Sequence, residues 1–260
     1  MRFNRAGDGL AAKRRPGNVH RADEGEALLL PEIARQQELG KEVGFRADAA
    51  LAKPEIYAAL EERGVKYALR IPANDRLPRD IEALLTRSGG RPRHKPLVGY
   101  KGFLYQAESW KTARRGVAQV EFHAGERFPR VGFIVTNRTL PSRAGVRFYN
   151  KRGTAEQGIK EGNQAVKRTR LSCQRFRSKA VRRGRSVLAD NLGNRWRRLA
   201  LPSRIDAGSL TSLQQRLVKT GGRLVKHARY DWLLLAESHL TRRLFGSRVR
   251  RIAELPLPAG

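Results

Sequence analysis

The pattern of apolar and polar residues is clearest around residues 42–71, where it predicts a strand, a helix and a second strand. The strand EVGFRA covers residues 42–47, and Pro54 opens the helix at a first-turn position that suits proline. The helix runs to Gly64, a residue suited to the position after a helix end, and KYALRI (66–71) is the return strand. Connections this short favour a parallel pair with the helix packed across it.

The pattern outside this unit is more varied. A short hairpin is predicted within residues 1–20, and a helix over 23–39 that Pro31 kinks or restarts, with Gly40 as its stop. Three further strands are predicted at 97–106, 116–124 and 130–137. From Tyr149 onward the chain is predicted to be helical, because apolar residues recur at helical spacing: Leu188, Leu192, Trp196, Leu199, and then Leu224, Ala228, Trp232, Leu235, Leu240 and Leu244, with Gly246 ending the last helix.

Composition adds a partner to this picture. The chain has 260 residues, with 54 Lys and Arg against 24 Asp and Glu, a formal net charge of +30. Such a charge predicts a polyanionic partner, and nucleic acid comes first because neutralised phosphates release counterions. The apolar fraction of 40% is enough for a core, which argues against wholesale disorder.

Other partners and sites are disfavoured. The single Cys173 permits neither an internal disulfide nor a zinc site built on cysteines, and the five histidines lack metal-ligand spacing. The apolar run at 232–236 is too short to span a bilayer, and the N-terminus lacks the apolar stretch of a signal peptide. No membrane partner and no small-molecule substrate are expected, and the expected location is cytoplasmic and nucleoid-associated.

The positive charge is concentrated between residues 167 and 198, which contain two Lys and ten Arg against one acid, Asp190. A basic stripe on helices is the footprint of a nucleic-acid binder, although a solvated surface is the ordinary alternative. Candidate DNA contacts in and near this stripe are Lys160, Lys167, Arg168, Arg170, Arg182 and Arg183.

Two places could carry chemistry. Asp48 directly follows the strand 42–47, at the edge where α/β sheets bind ligands, although Asp is also a common turn residue. Tyr149, Arg152 and Glu156 follow one another at i, i+3 and i+7, which places them on one face of a helix, where an ordinary surface ion pair is the alternative. Carboxylates from a strand end and a later helix are how nucleases hold two divalent ions.

The spacing Y-x2-R-x3-E resembles the YREK signature of bacterial insertion-sequence transposases of the DDE class. The surrounding segments FRADAALAKPEIYAALEERGVKYALRIPAN and FYNKRGTAEQGIKEG are similar to DDE transposase group 1, the insertion-sequence 1380 family, and the similarity covers nearly the whole chain. The resemblance implies an α/β, RNase H-like catalytic core with a β-rich insertion and a helical C-terminal region. It divides the chain into a partial core with the βαβ unit (1–74), the insertion (75–129), a core strand with the Glu156 helix (130–166) and a basic helical region (167–260).

The resemblance also implies function and site residues. The activity would be DNA cleavage and strand transfer with Mg²⁺ or Mn²⁺, acting on transposon ends and target DNA, by a dimer on paired ends. Asp48 matches the second acid of the metal triad and Glu156 the third, so both would be catalytic metal ligands. Tyr149 and Arg152 match the residues that engage DNA phosphates. Trp110 resembles an aromatic that stacks on a displaced base, with core packing as the alternative.

Some features depart from the family pattern. The signature Lys falls at position 163, where this chain has Asn163, and Lys160 lies in a different register. Neither Asp8, in the hairpin turn, nor Asp23, at a helix start, suits the first acid, so the chain is expected to begin after the first catalytic strand. Gly158 and Gly184 weaken helices, and Gly116 and Gly145 fall where strands would prefer bulky residues.

Three functions therefore stay open. The first is an active DDE transposase. The second is a truncated and catalytically impaired copy that binds DNA and regulates or inhibits an intact transposase. The third is a structural DNA- or RNA-binding protein, which the positive charge alone would allow.

Overall fold

The computed structural model describes residues 2–13, 18–19, 25–86, 95–167, 169, 173–206, 208–219, 221–236 and 239–256. The chain forms two compact units. Residues 15–153 make the first, here called the sheet unit, and residues 1–14 with 154–260 make the second, here called the helical unit. Among the described helices, none is long and apolar enough to cross a membrane.

The sheet unit contains one mixed five-stranded sheet in the order β3-β4-β7-β6-β5, in which only β3 and β4 are parallel to each other. Its strands are β3 Gly44–Ala47, β4 Lys66–Ile71, β5 Leu97–Tyr105, β6 Arg114–Phe122 and β7 Arg130–Thr136. Its helices are α1 Gly25–Glu38, α2 Pro54–Glu62, α3 Leu77–Asp80, α4 Glu82–Leu85 and α5 Ser142–Asn150.

The predicted strand–helix–strand unit is confirmed, as are the three later strands. Pro54 stands in the first turn of α2, and Gly64 adopts φ +65° directly after the helix C-cap, a conformation that glycine adopts without strain. The segment predicted as an insertion supplies β5 and β6, which continue the same sheet as β4 and β7. The α/β class is thus confirmed, whereas the RNase H-like identity, the missing strand and the four-part division stay predictions.

Side chains on the two faces of β4 belong to two different hydrophobic clusters, because side chains alternate along a strand. On β4, Tyr67 and Leu69 belong to the large core with α1 and α2, while Ala68 belongs to a second cluster with Val146 and Tyr149 of α5. The helix α5 therefore packs on the face opposite α1 and α2.

The helical unit contains two hairpins and several helices. The hairpins pair β1 Arg2–Phe3 with β2 Gly9–Ala11, and β8 Gly222–His227 with β9 Tyr230–Leu235. The helices are α6 Gly153–Ala165, α7 Phe176–Ala200, α8 Ser203–Asp206, α9 Leu210–Leu213, which continues as a π-turn over Gln214–Val218, and α10 His239–Ala253.

The prediction of helix throughout the C-terminal region is wrong for residues 222–235, which form the hairpin β8–β9. Leu224, Ala228 and Trp232 are spaced by four, an even number that satisfies the period of a strand as well as that of a helix. Gly221 and Gly222 discourage a helix start, and Ala228 adopts φ +54° in the turn. The spacing therefore did not distinguish the two structures.

Three predictions for proline and glycine differ in part from the structure. Pro31 lies inside α1, which continues on both sides of it, so the restart is wrong and the kink stays a prediction. Gly246 lies within α10 and does not end it, and Gly145 lies in α5 and not in a strand. Packing on the sheet keeps α1 intact, since Leu29 and Ile33 on either side of the proline are both buried.

Candidate active site

Asp48 lies where the sequence predicts, at the carboxyl end of β3. It immediately precedes a single 3₁₀ turn, Ala49–Leu51, and its side chain accepts no capping hydrogen bond from that turn. The side chain is 57% exposed, so its carboxylate faces solvent at the sheet edge. An Asp whose role is to stabilise a turn normally accepts a hydrogen bond from a backbone N–H of that turn, and Asp48 does not.

Arg152 is the partner of Asp48. Arg152 Nη1 lies 3.9 Å from Asp48 Oδ2, and the guanidinium lies 5.8 Å from the centre of the Tyr149 ring. The first distance is too long for a hydrogen bond, so the contact is an ion pair between partly exposed groups, worth at most about 1 kcal/mol. Three of the predicted site residues, Asp48, Tyr149 and Arg152, are thereby brought together.

These residues do not share one helix with Glu156. The helix α5 ends at Asn150, residues 151–152 form a turn, and α6 begins at Gly153. The Arg152 backbone N–H donates to the Tyr149 carbonyl at 2.8 Å and closes this turn. The predicted i, i+3, i+7 face is therefore wrong, because the chain leaves α5 before Arg152 and a glycine at 153 favours a break.

Arg46 connects β3 to α5, a role that sequence reasoning missed because its only signal was a charged residue inside a strand. Its Nη1 donates to the Phe148 carbonyl at 3.1 Å, and its guanidinium stacks over the Phe148 ring at 5.0 Å from the centre. Arg138 lies over the same ring at 4.4 Å. Because Arg46 is two residues before Asp48 and Phe148 is four before Arg152, these contacts position the ion pair.

Tyr149 is 9% exposed, and its hydroxyl is buried without a hydrogen-bond partner among the described residues. Such a hydroxyl costs about 1–3 kcal/mol if nothing satisfies it. The residue lines a cavity of about 210 Å³ whose polar walls include Arg70, Gln119 and Asn150. A ligand oxygen or a water in this cavity would relieve the cost.

Glu156 and Lys160 lie on α6, in the helical unit, and both are exposed. Glu156 stands in the first helical turn, and the spacing of four places Lys160 on the same face. The helix is joined to α7 by the ion pair of Glu161 with Arg197, at 3.3 Å. A Cβ added at Gly158 would lie 3.6 Å from the Phe3 ring, which is an ordinary van der Waals contact. Close packing therefore does not require glycine at this position.

A metal-ligand set is not assembled within the described part of either unit. No group of three His, Cys, Asp or Glu side chains lies close enough to hold a metal ion there. Asp48 and Glu156 offer the carboxylate oxygens that Mg²⁺ prefers, yet the charged group observed beside Asp48 is a cation. Within the described part of the sheet unit, the charged group beside Asp48 is therefore an arginine and not a second carboxylate.

The basic residues predicted to contact DNA differ in their exposure. Lys167 follows α6 in a left-handed conformation, φ +51°, with an exposed side chain. Arg182 and Arg183 both lie on α7; Arg182 is exposed, and the Nε of Arg183 is buried without a hydrogen-bond partner in the part of the chain that the structure describes. Arg168 and Arg170 lie outside the described residues.

Trp110 is a core residue of the sheet unit, 6% exposed. Its ring makes edge-to-face contacts with Tyr57 and Tyr105, at 5.0 and 5.3 Å between centres, and Arg114 lies over it at 5.3 Å. Core packing, the alternative reading of this residue, accounts for its burial. Stacking on a base would require the indole to leave this cluster.

The chain is thus a strongly basic α/β protein in which Asp48, at the end of a strand, lies beside Arg152. The model of the transposase DDE domain group 1 family matches residues 1–257, and the chain belongs to this family. No curated protein matches the chain in sequence. The chain is therefore a member of the DDE transposases, a class that acts on DNA.

Proposed function

We propose that the chain acts as a transposase of a bacterial insertion sequence, of the insertion-sequence 1380 type and RNase H-like in its core. In this proposal its ancestral reaction is metal-dependent DNA cleavage and strand transfer. The family match supports the class of reaction. The observation that carries the site is the ion pair of Asp48 with Arg152, which joins the predicted acid at the strand end to the predicted signature.

Each site residue has a proposed role that its own chemistry allows. Arg152 would leave the weak ion pair and grip a DNA phosphate, since its guanidinium can donate two parallel hydrogen bonds. Tyr149 supports the guanidinium with its ring. Asp48 and Glu156 are proposed as two of the three acids that would bind Mg²⁺ or Mn²⁺ in the family, where the metals activate the attacking oxygen.

The basic residues of the helical unit would hold DNA without reading its sequence. Lys160, Lys167 and Arg182 are exposed cations, and phosphate contacts of this kind position a protein on a duplex. Transposon ends and target DNA are the proposed partners, and a homodimer on paired ends is the proposed assembly.

A second function, that of a catalytically impaired regulator, is favoured by one observation. Asn163 stands where the signature has Lys, so one expected phosphate contact is missing. A chain that binds transposon ends without cutting them would compete with an intact transposase.

A cleavage assay separates the two functions. The full chain is incubated with a duplex that carries a transposon end and Mg²⁺ or Mn²⁺, beside the variants Asp48→Asn and Glu156→Gln. Cleavage that both variants abolish, with duplex binding retained, supports the transposase. Binding without cleavage in every sample supports the regulator, and the absence of any duplex binding contradicts both.

A further inference from the structure

The hairpin β8–β9 presents exposed side chains that the proposed site does not use. Its two strands form a sheet of their own in the described part of the chain. An isolated two-stranded hairpin is at best marginally stable in water. Its sequence nevertheless keeps large apolar residues on the surface, which calls for a partner that covers them.

The register of the hairpin sorts its side chains onto two faces. Trp232 pairs with Val225, and Tyr230 pairs with His227, so these four residues share one face, here called the aromatic face. Trp232 is 60% exposed and Tyr230 is 71% exposed.

The opposite face differs in its chemistry. It carries Leu224 opposite Leu233, and Lys226 opposite Asp231. The two leucines are as exposed as the aromatics, at 68% and 63%. This face therefore presents exposed apolar side chains without an aromatic ring, which makes it an internal control.

Positive charge accompanies the aromatic rings. Arg223 lies on the aromatic face at one end, paired with Leu234, and Arg229 stands in the turn at the other end. The one acid of the hairpin, Asp231, lies on the opposite face. Exposed rings between cations suit a ligand with flat π surfaces joined by phosphates.

We propose that the aromatic face binds single-stranded DNA, with Trp232 and Tyr230 stacking on unpaired bases and Arg223 and Arg229 contacting the adjacent phosphates. Bases stack on aromatic side chains whatever their sequence, and a positive groove follows the backbone. A second copy of the chain fits this face less well, because a symmetric contact between two such faces would bring the like charges of Arg223 and Arg229 together. The proposal rests on the DNA partner of the proposed function and not on its acids.

The test measures the affinity of the full chain for a fluorescein-labelled oligothymidylate of about 15 nucleotides and for a duplex of the same length. Trp232→Ala removes the exposed ring, and Leu233→Ala removes an equally exposed side chain from the opposite face of the same strand. Trp232→Phe keeps a ring at the position. Trp232→Ala is expected to weaken single-strand binding roughly tenfold and duplex binding less than about twofold, whereas Trp232→Phe retains most of the binding.

The outcomes separate this proposal from the function it rests on. Equal losses for Trp232→Ala and Leu233→Ala, or equal losses on both DNA forms, overturn it. It is overturned as well if Trp232→Ala changes the sedimentation coefficient of the free chain and not its affinity for the single strand, because the face is then an interface between copies. If the unaltered chain binds the duplex but not the single strand, only this inference fails; if it binds neither, the proposed function fails with it.

Discussion

Arg152 Nη1 lies 3.9 Å from Asp48 Oδ2, and this contact joins the turn after α5 to the carboxyl end of β3. The two residues are far apart in sequence, and Arg46 holds their elements together through Phe148. The contact places a guanidinium, a group that binds phosphate well, beside the acid at the strand end.

Replacing Arg152 by Ala is expected to weaken binding of a transposon-end duplex about tenfold to hundredfold, because a charge-assisted hydrogen bond to phosphate contributes about 1.5–3 kcal/mol. Arg147→Ala is the matched control, since it removes the same charge from an exposed position on α5. Fluorescence anisotropy at constant salt measures both affinities. Equal losses in the two variants would show that only net charge matters.

The stability of the sheet unit is expected to fall in acid because of Glu61. Burial raises the pKa of this carboxyl. The carboxylate accepts hydrogen bonds from Arg114, at 2.9 and 3.0 Å, and from the Tyr67 hydroxyl, at 2.6 Å. These bonds outweigh the effect of burial, so the pKa lies below its ordinary value of 4.5. A lowered pKa in the folded chain means that the stabilisation is present above about pH 4.5 and is lost as the pH falls through the folded value.

Urea denaturation of the full chain between about pH 6 and pH 3 measures this loss, and Glu61→Gln is expected to flatten the dependence. Glu126→Gln is the control, because Glu126 also has a lowered pKa, through its hydrogen bond with Arg130, but lies in an exposed pair. The interpretation is wrong if the two variants change the acid dependence equally.

Gly116 is expected to be required by packing. A Cβ at this position in β6 would lie 2.6 Å from Phe103 Cε2 on the neighbouring strand, so Gly116→Ala forces a shift and should lower the free energy of unfolding by about 1–3 kcal/mol. Gly132→Ala in β7 of the same sheet meets nothing within 4 Å and should be near neutral. Thermal unfolding compares the two, and equal effects would contradict a packing cause.

Asn191 is expected to hold the first hairpin on α7. Its side chain accepts from the Gly9 N–H at 2.7 Å and donates to the Gly9 carbonyl at 2.9 Å, which satisfies both backbone groups of that residue. Asn191→Ala should therefore increase amide hydrogen exchange across residues 2–11, since partly buried polar groups lose their partners. Leu192→Ala, at the next and 69% exposed position, should leave that exchange unchanged. Exchange measured by mass spectrometry decides between them.

Local chemistry made much of the sheet unit predictable. Pro54 and Gly64 delimit α2 by backbone preferences that act within one turn. The strands at 66–71 and 130–137 are short apolar runs that can be recognised within one sequence window. The position of Asp48 at a strand end followed from the same signals. The site was less predictable, because the sequence placed Tyr149, Arg152 and Glu156 on one helix that in fact ends at Asn150.

Taken alone, the sequence determined the α/β class, the positive charge and the family, since each is written in composition, local period or a nearly chain-long motif. Tertiary structure decided the sheet order β3-β4-β7-β6-β5, the burial of Trp110, the pairing of Asp48 with Arg152 and the hairpin at 222–235. Most of these features depend on contacts between residues that are distant in sequence. The hairpin depends on a choice between strand and helix that a spacing of four residues leaves open. Only the packing of the whole chain selects one of the possible structures.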